Sequence, residues 1–267
     1  MSCHLTIHIY SYFPKLLYCY YVFWNLLLLE RKCFFVKQEK QVSETLGIAF
    51  ILTFVGGFLD TYSYLLHNKV FANAQTGNIV LLAMNITEGD FHTAFSYFLP
   101  IIAFVCGIFL AQWIRSLFQT SPNIHWRQIT VFMEILALLG IAFIPANTYN
   151  HLANCMISCI CAIQVESFRK VHGKPFTTTM CTGNLRSGTE CLYHFLKDKK
   201  KEQLLHGIHY FSVILFFALG VAFGVFFIKW WENFSLFICC GLLSVCIVFM
   251  RERKEKGHSS LDNNFIK

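Results

Sequence analysis

Two carboxylates stand sixteen residues ahead of two identical triplets: Asp60 before Thr76-Gly77-Asn78, and Glu166 before Thr182-Gly183-Asn184, at a constant offset of 106. An acid inside or at the end of an apolar run is costly to bury, and such residues mark proton or cation coupling, or counter-ions beside a substrate. Arg186, four residues past Thr182, could bind an anion or neutralise a carboxylate. Thr76 and Thr182 are good helix N-caps, and the stretches after them read as helices. A helix N-terminus carries free N–H groups and a positive dipole end, so it attracts anions and polar groups. Asn73, Gln75, Asn78, Thr179 and Asn184 would lie around two such ends. The plainer reading is structural: Asp60 and Glu166 cap their helices at the interface, or pair with Arg186 to hold the fold.

The elements that would position these groups follow from composition. The 267 residues are 55% hydrophobic, 17% aromatic and only 14% charged, with a mean hydropathy of +0.50, whereas a soluble domain carries about 25% charged residues. That excludes an ordinary soluble enzyme. The apolar residues come in runs: Leu46 to Leu66, Val70 to Ile86, Ala94 to Ile114, Ile129 to Ala146, His151 to Val165, Phe176 to Leu196, Ile208 to Ile228 and Phe234 to Met250. A bilayer core of about 30 Å needs runs of roughly 20 residues. Two of the eight, Val70 to Ile86 and Phe176 to Leu196, are polar in their first halves, and the second carries Arg186 and Glu190.

Basic residues decide between six and eight crossings, because cytoplasmic loops are enriched in Lys and Arg. With six spans and both termini inside, 15 Lys and Arg near the spans fall in the cytoplasm and 2 outside; with eight, the same residues divide 10 to 7. Six spans in an inner (plasma) membrane are therefore expected, with the two polar segments dipping in and returning. The geometry allows it. An extended leg over Val70 to Gln75 at ~3.3 Å per residue reaches about 20 Å inward, and a helix from Gly77 to Ile86 at ~1.5 Å per residue climbs back about 15 Å.

The offset of 106 then reads as a duplication. The expected division is an N-terminal extension over residues 1–41, membrane repeat A over 42–146, membrane repeat B over 147–250 and a basic cytoplasmic tail over 251–267. Three spans per repeat is an odd number, which puts the halves in opposite orientations. The fold class expected is an all-α membrane protein of about six helices in two inverted repeats, with the two Thr-Gly-Asn helix ends facing each other near the midplane.

The strings Gly57-Phe58-Leu59-Asp60-Thr61-Tyr62, Val70-Phe71-Ala72-Asn73-Ala74-Gln75-Thr76-Gly77-Asn78 and Met180-Cys181-Thr182-Gly183-Asn184-Leu185-Arg186-Ser187 resemble the YoaK-like family of bacterial membrane proteins. The resemblance runs from about Val42 to about Met250. It implies an integral membrane protein with several helices and no established activity, and it has no counterpart for the segment before Lys37. The run Leu16 to Leu29 is followed by Glu30, Arg31 and Lys32, not by a small-residue cleavage site. We expect an interfacial helix or translated upstream sequence there, with a natural start at Val36.

Other features have simpler readings. Most of the twelve cysteines lie in apolar runs and behave as small hydrophobes. His206 and His209 lack partners for a four-ligand metal site. The basic clusters orient spans, so no nucleic-acid partner is expected. Ala103, Gly107 and Ala111, like Gly220 and Gly224, recur at a spacing of four and suit close helix packing. Trp113, Trp126, Trp230 and Trp231 fall at span ends, as interfacial anchors do. Glu134 lies within an apolar run, where it is expected to be buried and paired, with His125 as a candidate. No phosphate loop, H-E-x-x-H or G-x-S-x-G occurs, so no cofactor is expected. The functional expectation is a secondary transporter or channel for a small polar or anionic solute, with an oligomer open. The competing expectation is an intramembrane enzyme or a non-transporting assembly protein.

Overall fold

The computed structural model describes residues 46–119, 125–145, 149–171, 174–175 and 181–262. The N-terminal extension, with its Leu16 to Leu29 run and the expected start at Val36, lies outside the described residues, as does Thr179. Residues 41–267 form one unit. Its first helix, α1 (Leu46–Leu66), holds seventeen buried residues in twenty-one, including the polar Thr53, Asp60, Thr61 and Ser63. A helix apolar all round belongs in a core, and α1 is that core's axis.

The chain then unwinds. Asn68 and Lys69 adopt positive φ, and regular helix resumes only at α2 (Gln75–Thr87). A turn at Gly89, also at positive φ, leads into α3 (Phe91–Phe118). Asp90 caps α3 by accepting from the Thr93 N–H at 3.0 Å, and this bonding holds its carboxyl below the usual value. After α3 come α4 (Trp126–Ala142) and α5 (Asn150–Ser167). A two-residue antiparallel pairing of Lys170–Val171 with Lys174–Pro175 leads to α6 (Cys181–Asp198). The long α7 (Lys201–Trp231), a 3₁₀ turn at Glu232–Ser235 and α8 (Leu236–Asp262) complete the order.

The principal packing pairs are α1 with α7, α5 with α3, α2 with α3, α6 with α7 and α4 with α8. Small residues set the closest of these. A Cβ at Gly57 would run into the carbonyl oxygen of Phe217, and one at Gly220 into that of Phe54. Gly224 faces Thr61, whose hydroxyl donates to the Gly57 carbonyl at 3.0 Å. On the other side of the core, a Cβ at Gly107 would meet the Cys159 carbonyl and the Ala162 methyl. Spacing-of-four small residues thus seat α7 on α1 and α3 on α5.

Among the described residues, three stretches are long and apolar enough to cross a bilayer: Leu46–Leu66, Phe91–Phe118 and Lys201–Met250. Among the described residues the architecture is all-helical apart from the short strand pair. Trp113, Trp230 and Trp231 are exposed, as anchors should be, but Trp126 is not. It is buried between Arg115 and Arg127, whose guanidinium carbons lie 5.7 and 5.4 Å from its ring. Its role is to pack the start of α4, because the two cations cover the ring that lipid headgroups would otherwise meet.

Candidate functional site: a capped break beside buried acids

The unwound leg between α1 and α2 needs partners for its backbone, since unpaired N–H and C=O groups inside a membrane protein cost several kcal/mol each. Side chains supply them. The Asn73 N–H donates to Asp60 Oδ1 at 2.7 Å, and the Asn73 side chain donates to the Gly56 carbonyl at 3.1 Å. Asn78, fully buried, grips Phe71 from both sides: its Oδ1 accepts from the Phe71 N–H at 3.2 Å while its Nδ2 donates to the Phe71 carbonyl at 2.7 Å. The Gln75 side chain donates to the Ala72 carbonyl at 2.9 Å and accepts from Asn78 at 3.0 Å.

Helix α5 contributes the rest through a polar stripe. Asn154 donates to the His67 carbonyl at 2.9 Å, Ser158 to the Ala72 carbonyl at 3.1 Å and Gln164 to the Leu52 carbonyl at 3.1 Å. Cys161, on the same stripe, adjoins Asn73 and lies within electrostatic reach of Asp60. At the end of the leg, His67 is buried, with Nδ1 2.9 Å from Asn150 Oδ1. Burial lowers its pKa below the usual value.

Asp60, Asn73, Gln75 and Asn78 therefore meet in one place, with Gly77 beside the Phe71 ring. Thr76 does not join them. It is exposed, and α2 begins one residue earlier, at Gln75, with Ala74 as a cap that makes no side-chain bond. Thr182 is likewise exposed, inside a helix that starts at Cys181. Thr76 is not the cap expected of it, because Asn78 and Asp60 close the leg before α2 from the buried side.

In the second half, Asn184 is buried as Asn78 is, whereas Gly183 and Arg186 are exposed. Glu166 does not pair with Arg186. It accepts from Arg169 at 3.1 Å and from the Gln112 side chain on α3. Helices α2 and α6 do not rest against one another as a principal contact, since each lies on its own long neighbour. The start of α6 nonetheless comes within electrostatic reach of Asp60 through Cys181. Glu134 is buried but not paired: its Oε1 has no hydrogen-bond partner, and His125 instead caps α4, its Nδ1 accepting from the Arg127 N–H at 3.3 Å.

The α5 stripe was the residue set missed in the sequence. Asn154, Ser158 and Cys161 recur at intervals of four and three, one face of a helix, but counting only apolar content makes His151 to Val165 an ordinary span.

Comparison with known proteins covers this same region. A family profile described as "Protein of unknown function (DUF1275)" matches residues 48–249, from the first turn of α1 into α8. The UPF0700 transmembrane protein YoaK of Bacillus subtilis (strain 168) is 26% identical over 178 residues, 64% of this chain and 78% of that protein. No solved structure matches. The profile takes in both Thr-Gly-Asn segments, the Asp60 site and all three membrane-length stretches, and the chain is a transmembrane member of the DUF1275 family of proteins of unknown function.

Proposed function

We propose that this protein is a secondary transporter or channel for a small polar or anionic solute, with the break around Asp60 as its binding and coupling site. One observation carries the reading: a buried carboxylate receives the main chain of an unwound segment ahead of a short helix. Broken helices with their N-termini gathered in a membrane interior are how transporter folds make a polar site without exposing backbone to lipid. Helix α2, with 13 residues at ~1.5 Å each, is about 20 Å long, too short to cross alone.

The arrangement as two inverted repeats is part of the proposal. Exchanging the halves turns the packing of α1 on α7 into that of α5 on α3, and α2 on α3 into α6 on α7; α4 on α8 maps onto itself. In this reading α1, α3, α4, α5, α7 and α8 cross the membrane, α2 and α6 return to the side they entered, and both termini are cytoplasmic. Asp60, Asn73, Gln75, Gly77 and Asn78 form one side of the solute site. Gly183, Asn184 and Arg186, with Thr76 and Thr182 at the outer edges of their helices, form its approach, and Glu166 is an anchor for Arg169 and Gln112.

The test is solute-induced swelling of proteoliposomes, followed by light scattering, with a panel of small neutral solutes and anions. Wild-type protein is expected to speed the entry of at least one solute over empty vesicles. Asp60→Asn and Arg186→Gln are expected to reduce that rate at least tenfold while folding normally. Full flux in both variants, with lowered thermal stability, would assign these residues to structure alone. A non-transporting assembly protein would give no flux in any variant.

A further inference from the structure

Donors and acceptors are unevenly matched at the break. The donors around the leg have partners: the N–H groups of Phe71 and Asn73 go to Asn78 and Asp60, and both Nδ2 hydrogens of Asn78 are used, on the Phe71 carbonyl and on Gln75. The start of α2 is spent on its own chain. The Gln75 N–H donates to the Asn73 carbonyl at 2.9 Å, and those of Gly77 and Asn78 donate to the Ala74 carbonyl at 2.8 and 3.3 Å. An anion at this helix end would find few of the free N–H groups that make such ends attractive.

Acceptors are left over. Asn73 is buried, and because its Nδ2 donates to the Gly56 carbonyl, its Oδ1 points elsewhere, where it has no partner. Asn154 repeats the pattern: its Nδ2 holds the His67 carbonyl, and its buried Oδ1 is unpaired. His67 adds a third. The Asn150 amide donates to Asn68 Oδ1 at 2.9 Å and so turns its own oxygen to His67 Nδ1, which carries the ring proton. Nε2 is then a bare acceptor, buried and without a donor. Hydrogen bonds tie these groups to one strip of chain: Asp60 holds Asn73, Ser158 holds Ala72 beside it, and Asn154, one turn from Ser158 on α5, holds His67.

Charge points the same way. Asp60 is buried and takes part in no ion pair among the described residues. Arg127 is the one Lys or Arg buried among them, and its Nε donates to the Ser167 carbonyl at 2.8 Å; Arg186 is exposed. A buried carboxylate calls for a cation or a proton, and buried acceptors call for donors. We propose that the break between α1 and α2 binds a small protonated amine, whose N–H groups serve Asp60 and the unpaired Asn73 oxygen, with the Asn154 oxygen and His67 Nε2 as further acceptors along the leg. This narrows the solute of the transport reading above, on which its passage through the membrane rests, from polar or anionic to cationic. An ammonium head has three donors and no acceptor, the complement of what the leg presents. Nitrate or a carboxylate offers only acceptors and would repeat the mismatch.

The test is equilibrium binding of radiolabelled methylammonium to the full chain in nanodiscs, with unlabelled competitors. Saturable binding is expected, displaced by ethylammonium but not by nitrate, formate or the neutral donor urea at equal concentration. Asp60→Asn is expected to weaken it about tenfold or more, as loss of a buried charge partner does. Glu232→Gln, on an exposed turn, is expected to leave it unchanged. Should Asp60→Asn fail to fold, the competition series on wild-type protein decides alone. Unchanged binding in folded Asp60→Asn, or displacement by urea or nitrate as effective as that by ethylammonium, would overturn the amine site. Absence of saturable binding would leave the acceptors to water and overturn it too. Flux separates the two proposals. Saturable methylammonium binding with no solute entry into proteoliposomes removes the transport reading and keeps the amine site, whereas entry of neutral or anionic solutes without methylammonium binding keeps transport and removes the amine.

Discussion

Asn78 does with one side chain what a neighbouring strand would do with its backbone, pairing both the N–H and the C=O of Phe71. Removing it leaves the N–H and C=O of the half-buried Phe71 without these partners, at about 1–3 kcal/mol for each group stranded. Asn78→Ala is therefore expected to lower stability by roughly 2 kcal/mol or more in detergent denaturation. Thr76→Ala, two positions away, is expected to change it by less than about 0.5 kcal/mol, as exposed sites away from caps do; a loss near 1 kcal/mol would restore Thr76 as the cap. His67 makes a second test at this scale. Its Nδ1 donates to Asn150 while Nε2 is buried and has no partner, so burial favours the neutral ring and lowers its pKa in the folded state. The unfolded chain then binds the extra proton first, and stability is full above the ordinary value near 6.5 and declines as the pH falls from there through the lowered folded value. Thermal unfolding is expected to show this acid-side loss in wild type and less of it in His67→Gln, which keeps an amide for Asn150 but cannot titrate. Equal losses in both proteins would clear His67 of any part in it.

At the scale of elements, the α1–α7 contact depends on what is missing from Gly57 and Gly220. Their hydrogens face carbonyl oxygens of the opposite helix, backbone that cannot swing aside. Gly57→Ala or Gly220→Ala is expected to cost about 1–3 kcal/mol or more, as overpacking does. At Gly140 and Gly241 an added Cβ meets nothing within 4 Å, so alanine there is expected to be neutral or to stabilise by up to about 1 kcal/mol through helix propensity. Melting temperatures of the four variants in one detergent check the contrast. The small-residue spacing was legible in the sequence because close helix approach has few other solutions, and Asp60 was legible because an acid in an apolar run is rare. Its partner was not. Asp60 binds the Asn73 N–H, and a main-chain group is identical at every position until one knows where the helix stops. Arg186 drew attention as a charge that needed an opposite, yet Glu166 found Arg169 three residues away. Sequence distance favours such local pairs, and only the placement of α6 on α7 shows that Arg186 is exposed. The stripe on α5 was readable at the helical period but hidden by the apolar residues between its members.

Over the whole molecule, the six-span reading predicts where the turn at Gly89 lies. That turn is exposed, at positive φ, and joins α2 to α3. Paired reporter fusions after Gly89 are expected to be active outside the cytoplasm and silent within it; a cytoplasmic signal would make α2 a crossing helix and the halves parallel repeats. The burial of α1 has its own consequence, for how the chain is made. The residues of α7 that seat against Thr61 follow it by 160 positions, and ribosomes add about 5–20 residues per second. Helix α1 must therefore wait on the order of ten seconds for the helix that covers its Gly57 and Thr61 face, with that face turned toward lipid or toward the insertion machinery. Its apolar character all round is what lets it endure that interval, although the finished protein shields it from lipid almost completely.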